Sequence, residues 1–535
     1  MKCLLPFFVL CLSLPLAAQL PSETLLIVNG NSADAMTVAN HYIDLRGIPA
    51  ERVLVLEPPE SYFREENGGT RWRTNADRTT RLVVEPLRQK LEELNDPFPT
   101  ALIFSPDWPT RIALGGGNFV SLTAFAGTLG NLPDFEQIQK GQAISPWFTA
   151  PDQRARGRRL IRYPATELNE AGFHPAMMLG VFYEPLDTEA LVAALKRSAG
   201  ADHTVPKGSV AIVTNEDVRT RARLPQMELA AERLARRNIP LHMETREVPL
   251  PETLIGAMEG AASVPVQRRY AGKLVPGAFA EHLTSFAGTF HNDSQTKMTQ
   301  WIAAGAAGTV GTVDEPMSIW TKFPLVEIFE RYAMGNTLLE ALMQSLGSPF
   351  HSLPMGDPLC RPWGNAFSAV RLETEWEENT LVIRIPGLRP GPANEFHLHV
   401  DGVRIPGTGP EWRWQADPET TGPEVEVLLH ARKIWAPPET AMRRDFIQSP
   451  FPEILKLSGG DPENEGQFLL ESSSEMVVWE IHQGQRRVFR ESHTGETLRA
   501  PVPVSVTGEG PAIYQARGIT RDGRRVRSAP KRMVR

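Results

Sequence analysis

Two acids stand side by side at the end of "WIAAGAAGTVGTVDEP": Asp314 and Glu315 follow directly on a glycine-rich apolar run. Adjacent carboxylates repel, so one holds a proton or a cation stands beside them, an arrangement suited to acid–base or metal chemistry. A basic partner is offered by "SPDWPTRI", where Asp107 and Arg111 are spaced for an ion pair or an anion clamp. Histidines come from "AEHLTSFAGTFHND", which holds His282, Ser285, His291 and Asp293. The candidate catalytic set is therefore Asp107, Arg111, His282, Asp314 and Glu315.

Other chemistries fit these residues less well. A Ser–His–acid hydrolase can be assembled from Ser285, a histidine and Asp314, but no Gly-x-Ser-x-Gly elbow surrounds Ser285. A divalent metal on His282 or His291 with Asp293 is compatible with the residue types; the HExxH spacing and a Cys/His cluster are both lacking. No cofactor motif is identified. The glycines of residues 305–311 are not a phosphate loop, because the order is helix, glycines, strand, and no lysine follows. Cys360, in "GDPLCRPWG", has no histidine near it in sequence and reads as a packed thiol rather than a nucleophile.

The elements that must position the candidates alternate along the first two thirds of the chain. "LLIVN" (25–29), "RVLVLE" (52–57), "ALIFS" (101–105), "AMMLGVF" (176–182), "SVAIVT" (209–214) and "LHMETREV" (241–248) read as strands. Between them lie a helix capped by Ser32 and closed by Gly47, and helices near 79–94, 187–198 and 222–237. A further helix, capped by Ser294, runs into the strand "GTVGTV", whose neighbours must approach closely because glycine has no side chain. Such alternation predicts an α/β fold: a mostly parallel sheet with helices on both faces. Ligands of such sheets bind beyond the carboxyl ends of the strands. Just past those ends stand Asn29, Asn31, Asp34, Asp107, Glu184, Asn215, Glu216, Asp217, Asp314 and Glu315. Singly, each also suits a helix cap or a turn.

After about Phe367 the period changes to that of short strands, punctuated by the hairpin signals Asp401-Gly402 and Asp522-Gly523. The expected division is a leader at 1–18, the α/β domain at 19–366, a β-sandwich-like module at 367–445, and a fibronectin- or immunoglobulin-like β-sandwich at 446–535. The stretch from Pro437 to Pro462 reads as loop-rich and holds the last boundary. The leader is read from Lys2, the apolar run "CLLPFFVLCLSLPL" and the small residues before Gln19, which together make a secretory signal cut near Ala18.

Composition agrees with an exported globular protein. The 535 residues are 41% hydrophobic and 22% charged, with a net charge of -7 and no clustered basic face, which argues against a nucleic-acid partner. Past the leader no stretch is long and apolar enough for a transmembrane helix. Cys3 and Cys11 lie in the leader, so Cys360 stands alone and no disulfide forms within the mature chain.

Several motifs, "ANHYIDLRGIPAERVLVL", "LVPGAFAEHLTSFAGTF", "SQTKMTQWIAAGAAGTVGTVDEP", "KFP", "YAMGNTLLEALMQS" and "MGDPLCRPWG", resemble an uncharacterised family of exported bacterial proteins. The resemblance spans roughly residues 22–365 and implies no activity. By strand–helix order the domain is distantly similar to caspase-like and gingipain-like cysteine peptidases. Relatives often carry a cysteine directly after the Glu-Pro, where this chain has Met317. Two functions follow as expectations: an exported hydrolase of peptidase type with accessory β-modules, or a non-catalytic envelope or surface binding protein. Its partner would be an extracellular or envelope protein, a peptide or a glycan, met in the periplasm, at the cell surface or outside the cell.

Overall fold

The structure is a computed structural model that describes residues 19–535 except 64–71, 97–99, 149–172, 292, 367–369, 388–393, 408, 434–438 and 461–466. The leader and Phe367 lie outside the described residues. Among the described residues, thirteen strands make the α/β part: β1 (Thr24–Asn29), β2 (Val53–Leu56), β3 (Arg73–Asn75), β4 (Ala101–Phe104), β5 (Arg111–Gly115), β6 (Asn118–Ser121), β7 (Ala176–Met178), β8 (Ser209–Thr214), β9 (Leu241–Thr245), β10 (Leu254–Gly260), β11 (Leu274–Leu283), β12 (Gly308–Thr312) and β13 (Ser352–Gly356). Ten of them form one sheet in the order β2-β1-β4-β7-β13-β12-β11-β10-β8-β9, mostly parallel and covered by helices. The other three, β3, β5 and β6, form a small sheet of their own.

Local rules explain the first unit. In α1 (Ala33–Arg46) the Ser32 hydroxyl accepts the Ala35 N–H at 3.2 Å, and Gly47 closes the helix at φ 62°, a conformation that favours glycine. The glycines of β12 also act as the sequence suggests. A Cβ on Gly308 would lie 2.4 Å from Leu338, and one on Gly311 would lie 2.8 Å from the Gly288 backbone. The layers above and below β12 close because those side chains are missing.

Three expectations need correction. Residues 254–260 and 274–283, absent from the strands read from the sequence, are β10 and β11, so His282 lies inside a strand. The helix before β12 spans only Thr299–Ala303 and is not capped by Ser294. Upstream of it, Gln295 Oε1 accepts from the Thr284 hydroxyl and the Phe286 N–H, which ties that segment to the end of β11 instead. The run 176–182 is a strand only as far as Met178.

β13 runs antiparallel to β12 over five residue pairs and meets β7 at a single pair, Met355 with Met178. Asp357, just past β13, pairs with Arg46 at the end of α1, on the amino side of β1, and accepts the Tyr42 hydroxyl at 3.2 Å. Arg46 also pairs with Asp202. "ANHYIDLRG" and "MGDPLC" are thus halves of one buried clamp. Cys360 sits beside it, fully buried, its S–H 3.3 Å from the Ser198 carbonyl, and burial pushes the thiol well up.

The remainder is antiparallel β-structure. A five-stranded and a three-stranded sheet enclose one apolar core that includes Leu381, Leu398, Trp412 and Val427. A seven-stranded sheet built on Gln467–Gln483 encloses another, with Phe468, Trp479 and Tyr514. The strand Glu439–Gln448 pairs along the whole of Glu424–Lys433, so part of the stretch read as loop is a strand. Both parts pack on the α/β domain: Asn40 donates to the carbonyls of Thr507 and Glu509, and Ser22 bonds His397 at 2.7 Å.

Candidate functional site

The carboxyl ends of strands from both halves of the large sheet converge, and the small sheet β3-β5-β6 lies against them. At the β1 end, Asn29 Nδ2 donates to the Asp107 carbonyl at 2.8 Å, and its own N–H reaches Ser105 Oγ at 3.1 Å. Asp107 takes a left-handed conformation (φ 69°), which turns the chain from β4 towards β5. Arg111, the first residue of β5, is 7% exposed and its guanidinium lies 3.6 Å from the centre of the Phe119 ring on β6. Arg73 of β3 approaches the same ring at 5.3 Å. Such cation–ring stacking fixes the guanidinium plane.

From there Arg111 reaches two titratable groups. Nη2 is 3.8 Å from Asp314 Oδ1, just past β12, and Nη1 is 3.5 Å from His291 Nε2, on the connection after β11. Asp314 Oδ2 accepts the Phe119 N–H at 3.2 Å. Burial raises the Asp314 carboxyl, with Arg111 opposing. Partial desolvation lowers His291, helped by Arg111, Lys297 and Arg73, so the imidazole is neutral near pH 7. Burial also pushes Lys297 and Lys322 down to about 8. Lys297 donates to the Phe286 carbonyl at 3.0 Å and Lys322 to that of Gln139 at 2.7 Å. Alongside, Trp72, Tyr183 and Phe290 stack on one another, and the Tyr183 hydroxyl bonds Asp293. Perturbed groups gathered at one edge are a physical signature of a site.

Of the five residues picked from sequence, Arg111 and Asp314 meet. Asp107 stands on the adjoining turn. Glu315 is exposed, and its Oε1 accepts the Met317 N–H at 2.9 Å in a tight turn where Met317 and Ser318 both take positive φ. His282 is engaged inside the sheet. It is 1% exposed, its Nε2–H faces the Thr296 carbonyl at 3.1 Å, and its Nδ1 accepts the Trp301 indole N–H at 2.9 Å. Both ring nitrogens are thereby committed, and burial pushes the imidazole down to about 4. Asp217 caps the helix after β8, and Asn215 accepts the Asp217 N–H in the turn before it. Phe119, Arg73 and Lys322 were not singled out from sequence, although "KFP" contains the last of them.

Among the described residues, one group has metal-ligand spacing: Glu23, Glu395 and His397 each bring an atom within 4.8 Å of the others, so the set could hold an ion. A cation already stands there. Arg432 donates to Glu23 at 2.7 Å and to Glu395 at 2.8 Å through Nε, closing this buried seam between the α/β domain and the first β-module. Against the cost of burial, the His397 hydrogen bond and the Arg432 charge pull the Glu395 carboxyl down to about 2. No helix among the described residues is long and apolar enough to cross a membrane.

No family model matches the chain, and no curated protein matches it. Solved structures do. The complex of the pro- and mature domains of Porphyromonas gingivalis RgpB is 9% identical, with 79% of this chain and 99% of that chain covered, at a TM-score of 0.42. The Arg-specific cysteine proteinase gingipain R, RgpB, is 10% identical over 80% of this chain and 99% of that one, also at 0.42. The Bacteroides ovatus mixed-linkage glucan utilization locus SGBP-B, in complex with a mixed-linkage heptasaccharide, is 13% identical over 31% and 44%, at 0.20. These likenesses concern the arrangement of strands and helices and transfer neither residues nor an activity.

Proposed function

We propose that this chain is an exported protein whose α/β domain recognises a carboxylate-bearing ligand, a peptide end or acidic side chain, at the carboxyl edge of its sheet. One observation carries the reading. The Arg111 fork is held in plane by Phe119 at this edge, with His291 at 3.5 Å and Asp314 at 3.8 Å beside it. A fixed guanidinium plane matches a carboxylate's two oxygens, so a ligand carboxylate presented there would compete with Asp314 for it. Arg73, Lys297 and Lys322 add positive charge around it, and a raised Asp314 accepts a proton as an anion approaches. Calorimetric titration with short peptides ending in a free carboxylate, and with their amides, tests this. The acids bind, and Arg111→Lys, which keeps the charge but loses the fork, weakens them about tenfold or more. Equal binding of acids and amides would sink the proposal.

A peptidase-like reading is favoured by a separate observation: an exposed, neutral His291 shares Arg111 with an acid whose carboxyl is raised. These are the groups that would move protons during attack by water. Turnover of the same peptides that disappears in His291→Gln, with binding retained, would support it. Turnover unchanged in that variant would exclude His291 from the chemistry.

A further inference from the structure

A strained turn stands beside the Arg111 fork. Asp314, 3.8 Å from Arg111, opens a loop that runs to Lys322. The charges of Asp314 and Glu315 reach Lys322, so the loop returns to where it began. Its base is pinned: the Thr321 hydroxyl donates to the Gly141 carbonyl at 2.8 Å, and the Ser352 hydroxyl to the Lys322 carbonyl at 2.7 Å. Between Asp314 and those ties, Met317 and Ser318 take φ values of 59° and 52°, which cost free energy in residues other than glycine. Burial of the side chain does not offset that cost, because Met317 is 70% exposed. Strain of this kind persists where a site needs the chain held so.

The same surface is apolar. Trp320, three residues after Met317, is 37% exposed, and Ile144, on the segment that Gly141 bonds to Thr321, is 48% exposed. A single exposed apolar side chain is ordinary, whereas three on adjoining segments make the kind of patch that marks a binding surface. Three residues of chain span at most about 11 Å, so Met317 stands within a residue or two of a carboxylate seated on Arg111. A fixed cation with an apolar neighbour is complementary to an acid that carries an apolar side chain.

We infer that the ligand of this edge is a peptide ending in a large apolar residue, with its terminal carboxylate on Arg111 and its last side chain on Met317 and Trp320. The inference rests on the carboxylate reading and adds to it the class of side chain. Calorimetric titration of the full chain with acetyl-Gly-Gly-Leu, acetyl-Gly-Gly-Ala and the amide of the first tests the two separately. The leucine acid binds about tenfold tighter than the alanine acid, because its extra carbons are partly covered on an open surface. Met317→Gly, which adopts the positive φ without strain and so keeps the fold, removes most of that difference. Should the glycine alter the turn itself, Trp320→Gln reduces the same difference from the other side of the patch. Equal affinity of the two acids, with the amide not bound, would overturn this inference alone. A preference for leucine that survives both substitutions would also overturn it. Equal binding of the leucine acid and its amide, or no binding of either acid, would overturn the carboxylate reading and this inference with it.

Discussion

Replacing His282 with phenylalanine separates a structural histidine from a catalytic one. The imidazole is buried in β11 between the Trp301 N–H and the Thr296 carbonyl, and it is pushed down to about 4, first by burial. An unfolded histidine titrates near 6.5. Between these values the unfolded chain binds a proton that the folded chain refuses. The stability from this group is therefore fully present above 6.5 and is lost as pH falls towards 4. By linkage the loss is about 2 kcal/mol at pH 5 and about 3 kcal/mol at pH 4. Phenylalanine cannot titrate, so the variant lacks this loss. It does leave the Trp301 N–H and the Thr296 carbonyl unpaired, at about 1–3 kcal/mol each. In urea unfolding near pH 7.5 the variant is thus less stable by about 2–6 kcal/mol, and near pH 5 the gap narrows by about 2 kcal/mol. A gap of constant size at both pH values would refute the neutral, fully bonded imidazole on which the reasoning rests. Peptide binding at the carboxyl edge should be unaltered in the folded variant.

Three further outcomes are expected. Asp357→Asn removes one of the two acids paired with Arg46, 8% exposed, while Asp202 stays, and should cost about 1–3 kcal/mol; a melting temperature equal to that of the parent would contradict the clamp. Residues 19–366 carry a core of their own and should melt cooperatively, below the full chain because the seam with the β-modules is lost; an unfolded fragment would mean that the halves share one core. Intact mass of protein recovered from the envelope or medium should correspond to a chain beginning near Gln19, and a mass that includes Met1 would rule out cleavage of the leader.

What the sequence disclosed was whatever short-range rules decide. The β1–α1 unit was legible because an apolar run, Ser32 and Gly47 each act on immediate neighbours. So was β12, whose glycines have meaning only where two layers touch. β10 and β11 were missed because they bury polar residues that mimic a connection. Glu259 is answered by Arg246 and Tyr270, Glu281 by Arg223 at 2.6 Å, and His282 by Trp301. Each partner lies between 11 and 58 positions away, beyond any periodicity window. The site divides similarly. Asp314 was found because it stands just past a strand end, and Arg111 because it follows Asp107 in "SPDWPTRI". Phe119 and His291 join them only through folding, across separations that no local pattern encodes.

Arg432 has a consequence of a different kind. It stands among two acids and a histidine, where another protein would recruit an ion from the medium. A recruited ion obeys mass action: dilution, a chelator or a competing metal empties its site and loosens whatever it held. A guanidinium attached to the chain has no free pool to exchange with. The seam between sheet and module should accordingly keep its counter-charge at any dilution and in any ionic surroundings where the chain is folded. Assembly of that seam is then a property of one polypeptide, independent of what the environment supplies.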